Sequence, residues 1–211
     1  MEENFKYNAE EIANAVLHGV GLGMAISALV VLIIVANLFG GLIHIIANSI
    51  YGSTLIILYL ASTLYHSFPR GKAKYILKII DHSAIFLLIA GTYTPITIIF
   101  LRGILGWTIF SIIWVIAVVG IVINIIWFDK VKKLSLFLYI IMGWLSIFTL
   151  RSLLLALSRT SIIFLILGGI FYTSGLIFYL KDDLNYNHAI WHIFVLAGST
   201  SHFFTILFSL I

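Results

Sequence analysis

The 211-residue chain is 62% hydrophobic and 9% charged, with a mean hydropathy of +1.16, whereas soluble domains are roughly 45–50% apolar and about 25% charged. A soluble globule of this size needs polar surface that this sequence lacks, and a lipid-facing barrel would alternate polar and apolar residues in stretches of about ten. The formal charge is +4 and there is no cysteine, so disulfides and thiolate metal sites are excluded, and a transition-metal site has to use nitrogen and oxygen ligands.

These features predict an all-α integral membrane protein, with residues 1–211 as a single domain. The N-terminus, MEENFKYNAEE, is acidic and has no cleavage pattern, so no removable signal peptide is expected. A bilayer crossing takes about 20 mostly apolar residues. Uncharged runs cover 12–65, 82–101, 103–128, 134–150, 160–180 and 184–211, and the first breaks at NLFGG, residues 37–41. Seven transmembrane helices follow, over about 14–37, 42–66, 79–101, 104–127, 133–156, 160–180 and 188–211. In the first, Gly19, Gly21 and Gly23 follow no strand, so they point to close helix packing rather than a phosphate loop. Pro95 should kink the third, Arg151 interrupts the fifth, and Trp107 and Trp127 near span ends fit an interfacial belt.

Seven crossings place the N-terminus and the second, fourth and sixth loops on one side. That side carries nine basic residues: Lys6, Arg70, Lys72, Lys74, Lys78, Lys130, Lys132, Lys133 and Lys181. The other side carries three, Arg102, Arg151 and Arg159. The bias makes the N-terminus cytoplasmic and the C-terminus external in a multi-pass protein of the cell membrane. The basic pI thus reflects orientation and gives no nucleic-acid footprint. Membrane lipids are the expected partners, with the 70–78 cluster suited to anionic headgroups.

Ionisable side chains inside a membrane are costly and by default suggest function. His188 and His192 are four residues apart, on one face of the last helix. Ser62 and His66 have the same spacing at the end of the second, and Asp81, the one acid inside a predicted span, begins the third. Chain direction brings all of them to one cytoplasmic level. The residues alone leave two readings open for the histidines: metal ligands, or interhelical hydrogen-bond partners. Three imidazoles with an open position suit a catalytic zinc, which activates water and polarises a carbonyl. Asp81 could then orient or deprotonate the water, and Ser62 could hydrogen-bond to that water, a ligand or Asp81. His18 could line the same cavity. His202 lies ten residues past His192, too deep to share the shell, while His82 points away and His44 starts its helix on the external face. These last three read as interhelical partners.

The stretches AVLHGVGLG, YLASTLYHS, IDHSAIFLLIAGTYTPI and HAIWHIFVLAGSTSHFF resemble the hemolysin III family, the bacterial branch of the progestin and adipoQ receptor superfamily. The resemblance spans essentially the whole chain. It implies seven helices, a cytoplasmic N-terminus and a zinc held by His66, His188 and His192, with Ser62 and Asp81 associated with the zinc water. It also implies ceramidase-like hydrolysis of a lipid amide or ester. The long N-terminal domain of receptor members has no counterpart here, so hormone-type signalling is not expected. Two other function classes stand beside hydrolysis: a non-enzymatic membrane regulator or receptor with structural zinc, and a channel or cytolysin, for which no charged pore lining is visible.

Overall fold

A computed structural model describes residues 9–181 and 184–211; Lys6 lies outside them. Among the described residues there is no strand, because long apolar stretches in lipid can satisfy their backbone only within helices. The helices are α1 (Ala9–Phe39), α2 (Leu42–Ser67), α3 (Lys72–Pro95), α4 (Gly103–Trp144), α5 (Leu150–Ala156), α6 (Arg159–Tyr179) and α7 (Asn187–Leu210). A π-helical turn, Ile96–Leu101, joins α3 to α4, and a 3-10 turn, Leu145–Thr149, joins α4 to α5.

The breaks have local causes. Gly40 and Gly41 separate α1 from α2 as NLFGG predicts, and Gly71, with φ +154°, takes the turn into α3. Pro95 has no N–H to donate, and the α-helix ends there. Thr97 Oγ1 then donates to the carbonyls of Tyr93 (2.8 Å) and Thr94 (3.2 Å). Near Trp144 the Ser146 N–H leaves the helical ladder for the Tyr93 hydroxyl, at 2.8 Å. Ser158 caps α6, its side chain accepting from the Ser161 N–H at 3.1 Å.

One expectation needs correction. The fourth and fifth predicted helices are not separated by a loop at 128–132; helical backbone continues through it, and only Trp127 departs, with φ −130° and ψ 32°. FDKVKK contains neither glycine nor proline, so nothing there stops a helix. Among the described residues six helical runs are long and apolar enough to span a membrane, and the fourth covers 54 residues, Gly103–Ala156. Straight, it would be about 80 Å long, yet it folds back at Trp127. Ser135 donates to Asn124 Oδ1 at 2.6 Å, although eleven residues span about 16 Å in a continuous helix. Phe128, Gly120 and Trp114 meet His82, Phe86 and Thr94 in turn, so the first arm runs antiparallel to α3. Tyr139 and Gly143 meet His82 and Tyr93, so the second runs parallel to it.

Neighbouring helices pack in the order α6, α7, α1, α2, α3, α4. The third run is the most enclosed, with 67% of its most apolar window buried against 17–44% elsewhere. One apolar cluster joins α1, α2, α3 and α7 through Leu32, Tyr51, Leu55, Leu88 and Ile206, and a second joins α3 to α4 through Phe86, Ile113 and Met142. Of the three glycines in α1, only Gly21 is held tightly, against Tyr59 and Leu196, while Gly23 faces open space. Trp107 and Trp127 are exposed. The starts of α1, α3 and α7 and the end of α2 share one end of the bundle. The Trp127 fold lies there too, since Tyr75 donates to Asp129 at 2.7 Å, as does the end of α6, where Tyr179 lies near His188.

Candidate metal centre

At that shared end the chain brings together side chains far apart in sequence. His66 sits in the last turn of α2; His188 and His192 occupy the first two turns of α7, one face apart by a single turn. One ring nitrogen from each lies within 4.8 Å of the others. His66 and His192 are almost wholly buried and His188 is half-buried. The His66 and His192 Nε2 atoms are 3.2 Å apart.

Hydrogen bonding orients the first ring. His66 Nδ1 is 2.9 Å from Glu11 Oε2, and an ionised carboxylate only accepts, so Nδ1 carries a proton and, in the neutral ring, Nε2 keeps its lone pair. That lone pair faces His192 Nε2, and two lone pairs at this distance repel unless a proton or a cation lies between them. His192 Nδ1 is buried without a hydrogen-bond partner among the described residues, so packing alone places this ring. Two nitrogens bound tetrahedrally to zinc at about 2.0–2.1 Å would be about 3.3 Å apart. The pair fits such an ion, and a third imidazole stands beside it.

Ser62 is one turn before His66 on α2, fully buried. Its hydroxyl neighbours the buried Asp81 carboxylate of α3 but makes no hydrogen bond of ordinary geometry among the described residues. Asp81 has His82 as a second neighbour, Oδ2 to Nδ1 at 3.8 Å. Neither Ser62 nor Asp81 belongs to the convergent nitrogen set.

The other histidines separate by environment. His18 belongs to the centre's surroundings: its ring centroid is 3.8 Å from that of His192 and 5.2 Å from that of Tyr59, and both its nitrogens are buried without partners among the described residues. His202 packs over Gly168 and beside Tyr172 of α6, its ring in reach of the Leu165 backbone, which is the interhelical role expected. His82 differs from expectation: its Nδ1 bonds within its own helix to the Lys78 carbonyl, at 2.9 Å, while its ring packs on Phe128. His44 also differs, packing on Gly40 at the opposite end with Nδ1 unpartnered.

Sequence reasoning missed Glu10, Glu11 and Lys74. Glu10 Oε1 accepts the His188 backbone N–H at 3.1 Å, and Glu11 Oε2 accepts from Lys74 at 2.8 Å as well as from His66. The available signal was the spacing of Glu11, Asn14 and His18, which puts three polar side chains on one face of α1. Asn14 and His18 on that face are buried.

The model of the family described as haemolysin-III related matches residues 6–203. The chain is 48% identical over 199 residues to Hemolysin-3 of Bacillus cereus, covering 94% of this chain and 91% of that protein. It is 48% identical over 199 residues to the Hemolysin-3 homolog of Bacillus subtilis (strain 168), covering 94% and 93%. The human Monocyte to macrophage differentiation factor is 28% identical over 163 residues, 74% of this chain and 67% of that protein. With its helical architecture and its clustered histidines, this chain is a multi-pass membrane protein that belongs to the haemolysin-III related family.

Proposed function

We propose that this protein is a zinc-dependent membrane hydrolase of an acyl amide or ester bond in a lipid, working at the cytoplasmic leaflet. The observation carrying the reading is the convergence of three imidazoles, with the buried Ser62 hydroxyl one turn from His66 and beside the buried Asp81 carboxylate. The Ser62 hydroxyl has no hydrogen bond of ordinary geometry among the described residues, and such a group is costly to bury and calls for an occupant.

His66, His188 and His192 are the residues to hold the ion. Bound there, zinc would polarise the substrate carbonyl and make water acidic enough to lose a proton near neutral pH. Asp81 accepts the proton of the attacking water, and Ser62 donates a hydrogen bond that positions the attack. The apolar bundle surface lets a lipid reach the site sideways. Direction is part of the same reading: α1, α2, α3, the two arms folded at Trp127, α6 and α7 make seven crossings, and the described basic residues at the centre's end outnumber those at the other end eight to three.

A second reading has its own support. α2 and α7 both pack against α1, so an ion shared by His66 and His192 would also tie together two helices, as a structural zinc in a non-enzymatic regulator does. Lipid extracts of cells with and without the protein, compared alongside purified wild type and His188→Ala, test the two. Hydrolysis predicts a lipid product that needs both His188 and Asp81. A metal whose removal lowers thermal stability and changes no lipid favours the regulator and contradicts the hydrolase.

A further inference from the structure

We infer that Glu11 is a positioning residue for the metal centre: anchored by Lys74, its carboxylate keeps the proton of His66 on Nδ1 and the Nε2 lone pair turned toward His188 and His192. The inference rests on the metal reading above and not on the hydrolase reading.

The geometry distinguishes this role from an incidental ion pair. Lys74 Nζ donates to Glu11 Oε2 at 2.8 Å, to the Tyr65 carbonyl at 3.0 Å and to the Phe68 carbonyl at 3.1 Å. All three ammonium hydrogens are committed, two of them to backbone acceptors at the end of α2, the helix that carries His66. The same Glu11 oxygen that receives Lys74 receives His66 Nδ1 at 2.9 Å. A carboxylate can hold a neutral imidazole in only one tautomer, with hydrogen on the bonded nitrogen. The other nitrogen of that ring is the one 3.2 Å from His192 Nε2. Removing Glu11 would free the ring to rotate or to carry its proton on Nε2, which cannot then ligate. The neighbouring Glu10 carboxylate receives the His188 N–H, so the first turn of α1 touches both helices that supply nitrogens. Partners of this kind to ligating histidines typically change metal affinity by about 10–100-fold.

The test compares detergent-purified wild type, Glu11→Gln, Glu11→Ala and Lys74→Met, full chain in each case. Zinc and cobalt(II) affinities are read by chelator competition, with the visible spectrum of bound cobalt and the melting temperature of metal-free protein as separate readouts. The expectation is a loss of about 10–100-fold in affinity for Glu11→Ala, with a changed cobalt spectrum and little change in metal-free melting. Glu11→Gln, whose amide oxygen still accepts from Nδ1–H, should recover most of the affinity. Lys74→Met should cost less than Glu11→Ala, and it serves as the test if Glu11→Ala does not fold. Wild-type affinity in Glu11→Ala, or in Lys74→Met where that variant stands in, overturns the inference. So does a loss matched by the fall in metal-free melting. A wild-type chain that binds neither ion overturns the metal reading together with this one, whereas binding by wild type and Glu11→Ala alike overturns this one alone.

Discussion

In the first two turns of α7, His188 and His192 approach His66 of α2, whereas near the far end of the same helix His202 lies over Gly168 and beside Tyr172 of α6. The side chains are chemically identical and the helix is continuous, so position decides their use. About 15 Å of helix separates His192 from His202. Over that distance the neighbours change from three other imidazoles, His18, His66 and His188, to Gly168 and Tyr172 at the interface with α6. Burial alone does not mark a ligand; convergence of nitrogens with an oriented partner does.

The contrast breaks most visibly at the metal. His192→Ala should reduce bound zinc, measured by elemental analysis of purified protein, from one ion per chain to less than about a tenth of that, because two remaining ligands make a poor site. His202→Ala should leave the metal in place. Equal loss in both would erase the distinction between the two halves of α7.

Ser62→Ala sharpens the same contrast on α2. Its hydroxyl makes no hydrogen bond of ordinary geometry, so removal should cost little stability and leave zinc bound. Lipid hydrolysis should nevertheless fall by about a hundredfold. Unchanged turnover would remove Ser62 from the chemistry.

Gly168→Val probes the packing half. A side chain there would collide with the His202 ring, so the variant should lose about 1–3 kcal/mol, read as a lower unfolding midpoint in detergent with the zinc content unchanged. The smallest effect has the opposite sign. Gly23→Ala meets open space and should gain about 0.5–1 kcal/mol from helix propensity, whereas Gly21→Ala must displace Tyr59 and should not.

Much of the fold was legible because lipid leaves backbone few alternatives. The starts of α2, α6 and α7 fell within a residue of expectation, and the NLFGG break was where glycine put it. The 128–132 segment was misread because charge was taken as a loop signal, though lysine and aspartate sit comfortably in a helix at a membrane edge. The reversal at Trp127 depends on tertiary bonds, Ser135 to Asn124 and Tyr75 to Asp129, which no local pattern encodes. In the centre, i to i+4 spacing and chain direction were enough to bring His66, His188 and His192 together. Glu11 escaped notice for a physical reason: at the start of a span an acid looks like solvent-facing flank, and only the packing of α1 against α2 turns it inward. His18 stayed undecided because its neighbours come from α2 and α7, not from α1.

The central claim is that nitrogens from α2 and α7 hold one ion between them. X-ray absorption at the zinc edge of purified, zinc-loaded protein tests it most directly. Wild type should show three imidazole nitrogens at about 2.0–2.1 Å with an oxygen completing the shell, and His66→Ala should lose one of them or the ion altogether. A folded wild type that binds no zinc, or a spectrum unchanged by His66→Ala, would contradict the account.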